Sequence, residues 1–141
     1  MRGIRLNEIV TASIRRHAST TYPYECCGAL IGSNGERDDT NVVEALQLEN
    51  VTEEGPRQRF LVSPREYQQS EAHARRVGGE LIGFYHSHPD HPAEPSQYDL
   101  DHAWPNLSYV IVAVRGGQAA DLRSWRLRAD RSAFDEENLG T

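Results

Sequence analysis

The sequence predicts an α/β fold, a mixed β-sheet flanked by helices. Three observations lead there. Two stretches repeat apolar residues at helical spacing, one near the start and one after Ser63. Short apolar runs recur in "CCGALIGS", "ELIGFYHSH" and "SYVIVAV". The two kinds of segment are interleaved along the chain, which favours helices packed against one sheet.

Each element has its own reason. Leu6, Ile9, Val10 and Ile14 recur at helical spacing and predict a helix over residues 6–18. "CCGALIGS" has a glycine on either side of "ALI" and predicts a strand. "SNGERDD" carries a turn signal, and "TNVVEALQLEN" alternates enough to be the next strand. "QRFLV" predicts another short strand. In "SPREYQQSEAHARRVGG", Ser63 can cap a helix, Pro64 suits its first turn and Glu66 completes a capping box. Tyr67, Ala74 and Val77 mark its inner face, and Gly78 and Gly79 end it. "ELIGFYHSH" follows as a strand. A short helix after Ser96 should stop before Pro105. "SYVIVAV" and "DLRSWRLR" are the last strands, joined by the turn in "RGGQA".

The chain has 141 residues, enough for one domain with an ordinary core. It is 38% hydrophobic and 26% charged, the balance of a globular protein. No apolar run approaches the length of a membrane span, and "MRGIRLNEIV" lacks the pattern of a signal peptide. A cytoplasmic protein without a membrane partner is expected. The net charge of −6 disfavours nucleic acid as the main partner, because phosphates call for a concentrated basic surface. All 15 basic residues are arginine; genomic codon bias is the preferred reading. Cys26 and Cys27 are adjacent and cannot form an ordinary disulfide without strain. No C-x-x-C occurs, so both read as small packing residues.

The chemistry concentrates in "YHSHPDHPAEPSQYD". His86 and His88 are two apart on a predicted strand and so share a face. Their α-carbons would stand about 6.6 Å apart, two strand rises, close enough for both imidazoles to lean onto one ion. An isolated H-x-H is more often a pair of surface or hydrogen-bonded histidines. The sequel changes the balance. Asp99 can return to the histidines as a third ligand, and two His with one carboxylate and an open position is the layout of a catalytic zinc site. Ser96-x-x-Asp99 is also a helix-capping signature, and both readings can hold together, with the Ser96 hydroxyl facing the site. A zinc hydrolase needs a carboxylate as general base. Glu25, Asp90, Glu94 and Asp101 are the candidates, and spacing alone does not choose between Glu25 and Glu94.

With these residues assembled, the sequence resembles the JAMM (MPN+) metalloprotease family, in its compact stand-alone prokaryotic form. The family pattern is an upstream Glu, then H-S/T-H-P, six residues, then S-x-x-D. It stands here as Glu25 in "YPYECCGALIG" and as "HSHPDHPAEPSQYD". The resemblance covers nearly the whole chain, 1–141, as a single domain, and implies the MPN fold, which is cytidine-deaminase-like. It implies that His86, His88 and Asp99 bind Zn2+, that Glu25 is the general acid/base, and that Ser96 helps stabilise the oxyanion. It further implies hydrolysis of the amide bond after the C-terminal glycine tail of a ubiquitin-like or sulfur carrier protein. That tail is expected to add as a strand beside the site.

Other residues are not promoted. His91 and His102 default to solvated or supporting roles, and His17 and His73 to partly exposed helix positions. Cys27 lacks an evident activating partner. Arg123, Arg126, Arg128 and Arg131 read as a solvated face, with a docking surface for an acidic carrier as the lesser alternative. The nucleobase deaminases expect H-x-E and P-C-x-x-C, both absent. A RadC-like DNA-associated module shares the histidine spacing but not the acidic charge, and a non-catalytic MPN-type scaffold would not need the intact constellation.

Overall fold

A computed structural model describes residues 3–34, 39–49 and 62–140. Seven strands run β1 (Gly3–Leu6), β2 (Cys27–Asn34), β3 (Asp39–Leu48), β4 (Glu80–Pro89), β5 (Ser108–Arg115), β6 (Gln118–Leu127) and β7 (Phe134–Gly140), with helices α1 (Glu8–Thr21), α2 (Pro64–Arg76) and α3 (Gln97–His102). The sheet is mixed, as expected, but it closes on itself in the order β1-β3-β2-β4-β5-β6-β7. Closure comes from two strands that the sequence reading missed. β1 lies parallel to both β3 and β7, with Gly3 opposite Asp39 on one side and Asn138 on the other. Every described strand therefore has a neighbour on each side. The β2–β4 ladder stops at Cys27↔His86, short of the end of β4 at Pro89.

The helix over 6–18 is displaced. Leu6 belongs to β1, and α1 starts after Asn7, whose side-chain oxygen accepts from Val10 N–H at 2.8 Å. Ile9, placed on the inner face, is 82% exposed, and the buried stripe is Val10, Ile14 and Ala18. α2 begins as read: Ser63 Oγ accepts from Glu66 N–H at 3.1 Å, and Glu66 Oε1 accepts from Ser63 N–H at 3.3 Å. It ends at Arg76, with Gly78 in the left-handed region at φ 78°. Val77 does not face inward; it is exposed beyond the last turn, whereas Ala74 is buried as expected and Ser70 is buried beside it. Gly116 and Gly117 turn β5 into β6 with positive φ at both positions, the geometry of a two-residue hairpin. The strand expected in "QRFLV" lies outside the described residues except for Val62, which is buried. Much of the "SNGERDD" turn lies outside them too.

Alternate residues of β4 and β5 feed two apolar clusters, which is why "SYVIVAV" is apolar throughout rather than alternating. Tyr85, Val110, Val112 and Val114 pack with Val10, Ile14 and Ala18 of α1. Phe84 and Tyr109 pack with Ala74 of α2, Ala103 and Trp104. The parallel β4–β5 pair, Gly83↔Ser108 through Pro89↔Val114, requires a crossover. That crossover carries the rest of the histidine-rich segment and α3. No described helix is long and apolar enough to cross a membrane.

Candidate metal centre

β4 delivers His86 and His88 to one face, as strand alternation requires. The peptide then leaves the strand through Asp90, which has a positive φ of 58°. It re-enters regular structure at α3, whose N-cap is Ser96. Ser96 Oγ accepts from Asp99 N–H at 3.1 Å, and Asp99 Oδ2 accepts from Ser96 N–H at 2.9 Å. The capping reading of Ser-x-x-Asp thus holds, and it is also what aims the Asp99 carboxylate. The Ser96 oxygen is used in the cap, while its own O–H can still donate into the groove that Ser96 lines.

Three atoms converge. His86 Nε2 is 3.1 Å from His88 Nε2, and Asp99 Oδ2 is 3.3 Å from the first and 3.2 Å from the second. A tetrahedral zinc site with bonds of about 2.0–2.1 Å has donor–donor edges of about 3.3–3.4 Å, so this triangle matches one face of such a site. The proton inventory favours a cation as well. His88 Nδ1 lies 2.9 Å from Pro92 O, an acceptor only, so Nδ1 carries the proton and donates. In neutral His88, Nε2 is then a bare lone pair facing another acceptor, the Asp99 oxygen. A bound cation or a second proton resolves that clash. The electrostatics agree. Burial pushes His88 down, but Asp99 and the Pro92 carbonyl outweigh it and leave its pKa raised. Burial alone would lift Asp99; the two imidazoles hold its carboxyl well below the usual range. His86, fully enclosed, is lowered by burial.

Glu25 arrives from the other side, in the residue pair that precedes β2. A carboxylate oxygen of Glu25 and one nitrogen of each imidazole lie within 4.8 Å of one another, and all three residues are buried. These residues could hold a metal ion. The other three carboxylates are engaged elsewhere. Asp90 accepts from Tyr22 O–H at 2.6 Å and Gly116 N–H at 2.9 Å. Glu94 pairs with Arg123 and Asp101 accepts from Gln97. Glu25, His88, Ser96 and Asp99 open onto a groove of about 640 Å³. Behind His86 and Asp99, Phe84, Trp104, Tyr109 and Ile111 leave a cavity of only about 10 Å³, about the room of one water.

The remaining histidines stand apart. His91 lines the groove exposed. His102 stacks on Tyr98 and donates to its carbonyl at 2.9 Å. His17 meets Tyr85 Oη at 2.7 Å, and His73 meets Glu44 at 3.0 Å. Both cysteines are free and buried, and burial pushes their thiols up, which fits packing rather than reactivity. The arginine run is largely occupied. Arg123 holds Glu136 and Glu94 and lies 4.9 Å over the Trp125 ring. Arg128 binds Asp135, and Arg131 donates to Ala103 O.

Sequence reasoning missed three supports. Trp125 Nε1–H donates to Ala93 O at 3.0 Å and holds the loop whose Pro92 carbonyl meets His88. The Tyr22–Asp90 bond ties the end of α1 to the turn after β4. Ser87, between the two histidines, points to the opposite face and bonds Cys26. Strand alternation was the one available signal for Ser87; the other two pairings span 32 and 68 residues.

The fold and this constellation define a JAB-type domain, and the chain belongs to that family: residues 7–128 match the prokaryotic homologs of the JAB domain. The resemblance read from the motif is confirmed. Among similar proteins, a desampylase of Haloferax volcanii is 32% identical over 112 residues, covering 79% of this chain and 78% of that protein. Tail tip assembly protein K of Escherichia phage N15 is 31% identical over 118 residues, covering 84% of this chain but 43% of the phage protein. Two solution structures share the fold. A Desulfitobacterium hafniense protein superposes with a TM-score of 0.82 at 31% identity, and a Salinibacter ruber protein with 0.76 at 36%; each comparison covers 96% of this chain and 90% of the other.

Proposed function

We propose that this chain, acting as one domain, is a zinc-dependent peptidase or isopeptidase. It would hydrolyse the amide bond after the C-terminal glycine tail of a ubiquitin-like or sulfur carrier protein. Kinship with a desampylase supports a JAB-family hydrolase acting on conjugates of ubiquitin-like proteins. The observation that carries the reading is the triangle of His86, His88 and Asp99 atoms with the Glu25 carboxylate beside it.

In this reading His86, His88 and Asp99 hold the ion, and the His88–Pro92 bond fixes the ring so that Nε2 is the ligating atom. Zinc held there would polarise the scissile carbonyl and bring the pKa of water down to about 7. Glu25 takes a proton from the attacking water and returns it to the departing amine. The Ser96 O–H donates to the charge that develops on the carbonyl oxygen. The groove has room for an extended tail, and the mostly apolar cavity behind His86 has room for about one water.

The test is elemental mass spectrometry with a hydrolysis assay on the wild type and Glu25→Ala. About one zinc per chain in both, with kcat lower by about 100-fold or more in the variant, is expected. A fully active Glu25→Ala would remove Glu25 as the acid/base. A wild type without zinc, even when zinc is supplied, would leave a scaffold in its place.

A further inference from the structure

Ser87 sits between the two histidines but on the opposite face of β4, fully buried in a position that strand alternation would ordinarily give to an apolar residue. The β2–β4 ladder ends at Cys27↔His86. One residue further, Ser87 N–H donates to Cys26 O at 3.2 Å, and Ser87 Oγ accepts from Cys26 N–H at 2.9 Å. Both backbone groups of Cys26, which is itself buried, are thereby held by one residue. A buried N–H without a partner is costly, so the serine hydroxyl has a defined task at this place.

Cys26 directly follows Glu25, and neither belongs to a helix or strand. Regular structure therefore does not fix the Glu25 backbone. Two of its anchors come from the segment that bears the imidazoles. Ser87 holds the residue after Glu25; Asp90 holds Tyr22, three residues before it. Asp90 does so from the left-handed region, φ 58°, which aspartate adopts more readily than most residues.

We propose that Ser87 is a positioning residue: its hydroxyl clamps Cys26 and thereby sets the Glu25 carboxylate against His86 and His88. The proposal rests on the hydrolase reading above.

The experiment compares the wild type, Ser87→Ala and Ser87→Thr. The probe is a ubiquitin-like protein whose C-terminal Gly-Gly carries a fluorogenic amide. Ser87→Ala should keep its zinc and its KM, lose about 10- to 100-fold in kcat, and exchange the Cys26 amide hydrogen faster. Ser87→Thr should restore both rate and protection. In a Glu25→Gln background, Ser87→Ala should not lower the residual single-turnover rate further. Ser87→Cys, which keeps the volume and weakens the acceptor, should show a smaller loss of the same kind where Ser87→Ala does not accumulate folded. Wild-type kcat in zinc-loaded Ser87→Ala or Ser87→Cys, or an equal loss in the Glu25→Gln background, would overturn the proposal alone. A wild type that neither binds zinc nor cleaves the probe overturns the hydrolase reading, and this proposal with it.

Discussion

His88 Nε2 faces Asp99 Oδ2 at 3.2 Å while the other ring nitrogen of His88 gives its proton to Pro92. Two acceptors at that distance invite a cation. Zinc should therefore stabilise the fold, by about 4 kcal/mol at a free concentration 1,000 times the dissociation constant. The expected outcome is a clear rise in melting temperature with zinc for the wild type and none for Asp99→Ala. Differential scanning fluorimetry with and without a chelator measures it, and an equal rise in both proteins would exclude Asp99 as a ligand.

Trp125 reaches the centre at one remove, through Ala93 O and the loop that presents Pro92. Trp125→Phe removes the donor and keeps most of the ring. Zinc affinity should weaken about tenfold, the usual size of an effect on a ligand's support. Competition against a chromophoric chelator reads it; unchanged affinity would mean that the loop holds without this bond.

Gly28 and Tyr85 stand opposite each other in the β2–β4 ladder. A Cβ on Gly28 would lie 2.0 Å from Tyr85 Cε2, and Tyr85 is fully buried with its hydroxyl on His17. The ring has nowhere to retreat. Gly28→Ala should cost about 1–3 kcal/mol, the range for overpacked cores, and urea denaturation should show it as a lower midpoint at unchanged slope. A neutral result would mean that the ladder shifts more easily than its packing implies.

His17 predicts a pH dependence. Burial lowers its pKa from the ordinary 6.5. As pH falls below about 6.5 the unfolded chain takes up this proton and the folded chain resists it. Stability is therefore lost as pH drops, down to the folded-state value. Denaturation midpoints at pH 7.5 and 5.5, with chelator present, should fall less in His17→Gln than in the wild type. An equal fall would assign the dependence to other groups.

Local chemistry was legible. Ser63, Pro64 and Glu66 announce α2 because a capping box is complete within four residues. The convergence of His86, His88 and Asp99 was legible for the same reason: they lie within fourteen positions of one another, and alternation and a helix cap suffice to gather them. Barrel closure was not, because β1 and β7 are paired across nearly the whole sequence. "GIRL" is too short to show a period, and "FDEENLG" hides its buried Glu137 among charges that read as surface. Ile9 and Val77 fit the helical period, yet the packing of α1 leaves Ile9 exposed and Val77 falls beyond the end of α2. Spacing alone did not separate Glu25, which the family resemblance implied, from Glu94; the geometry does, since Arg123 pairs with Glu94 and the two imidazoles lie near Glu25.

The parallel pairing of β1 with β7 also decides how the molecule answers a mechanical load. Gly3, Ile4 and Arg5 run alongside Asn138, Leu139 and Gly140 in the same direction. A pull applied upstream of Gly3 and downstream of Gly140 drags the two strands past each other lengthwise. Their hydrogen bonds then carry the tension together instead of failing one by one like a zipper. Tethered at both ends, the barrel has a force-bearing clasp at its seam, and the histidine-bearing face belongs to β4, a different strand from the two that take the load.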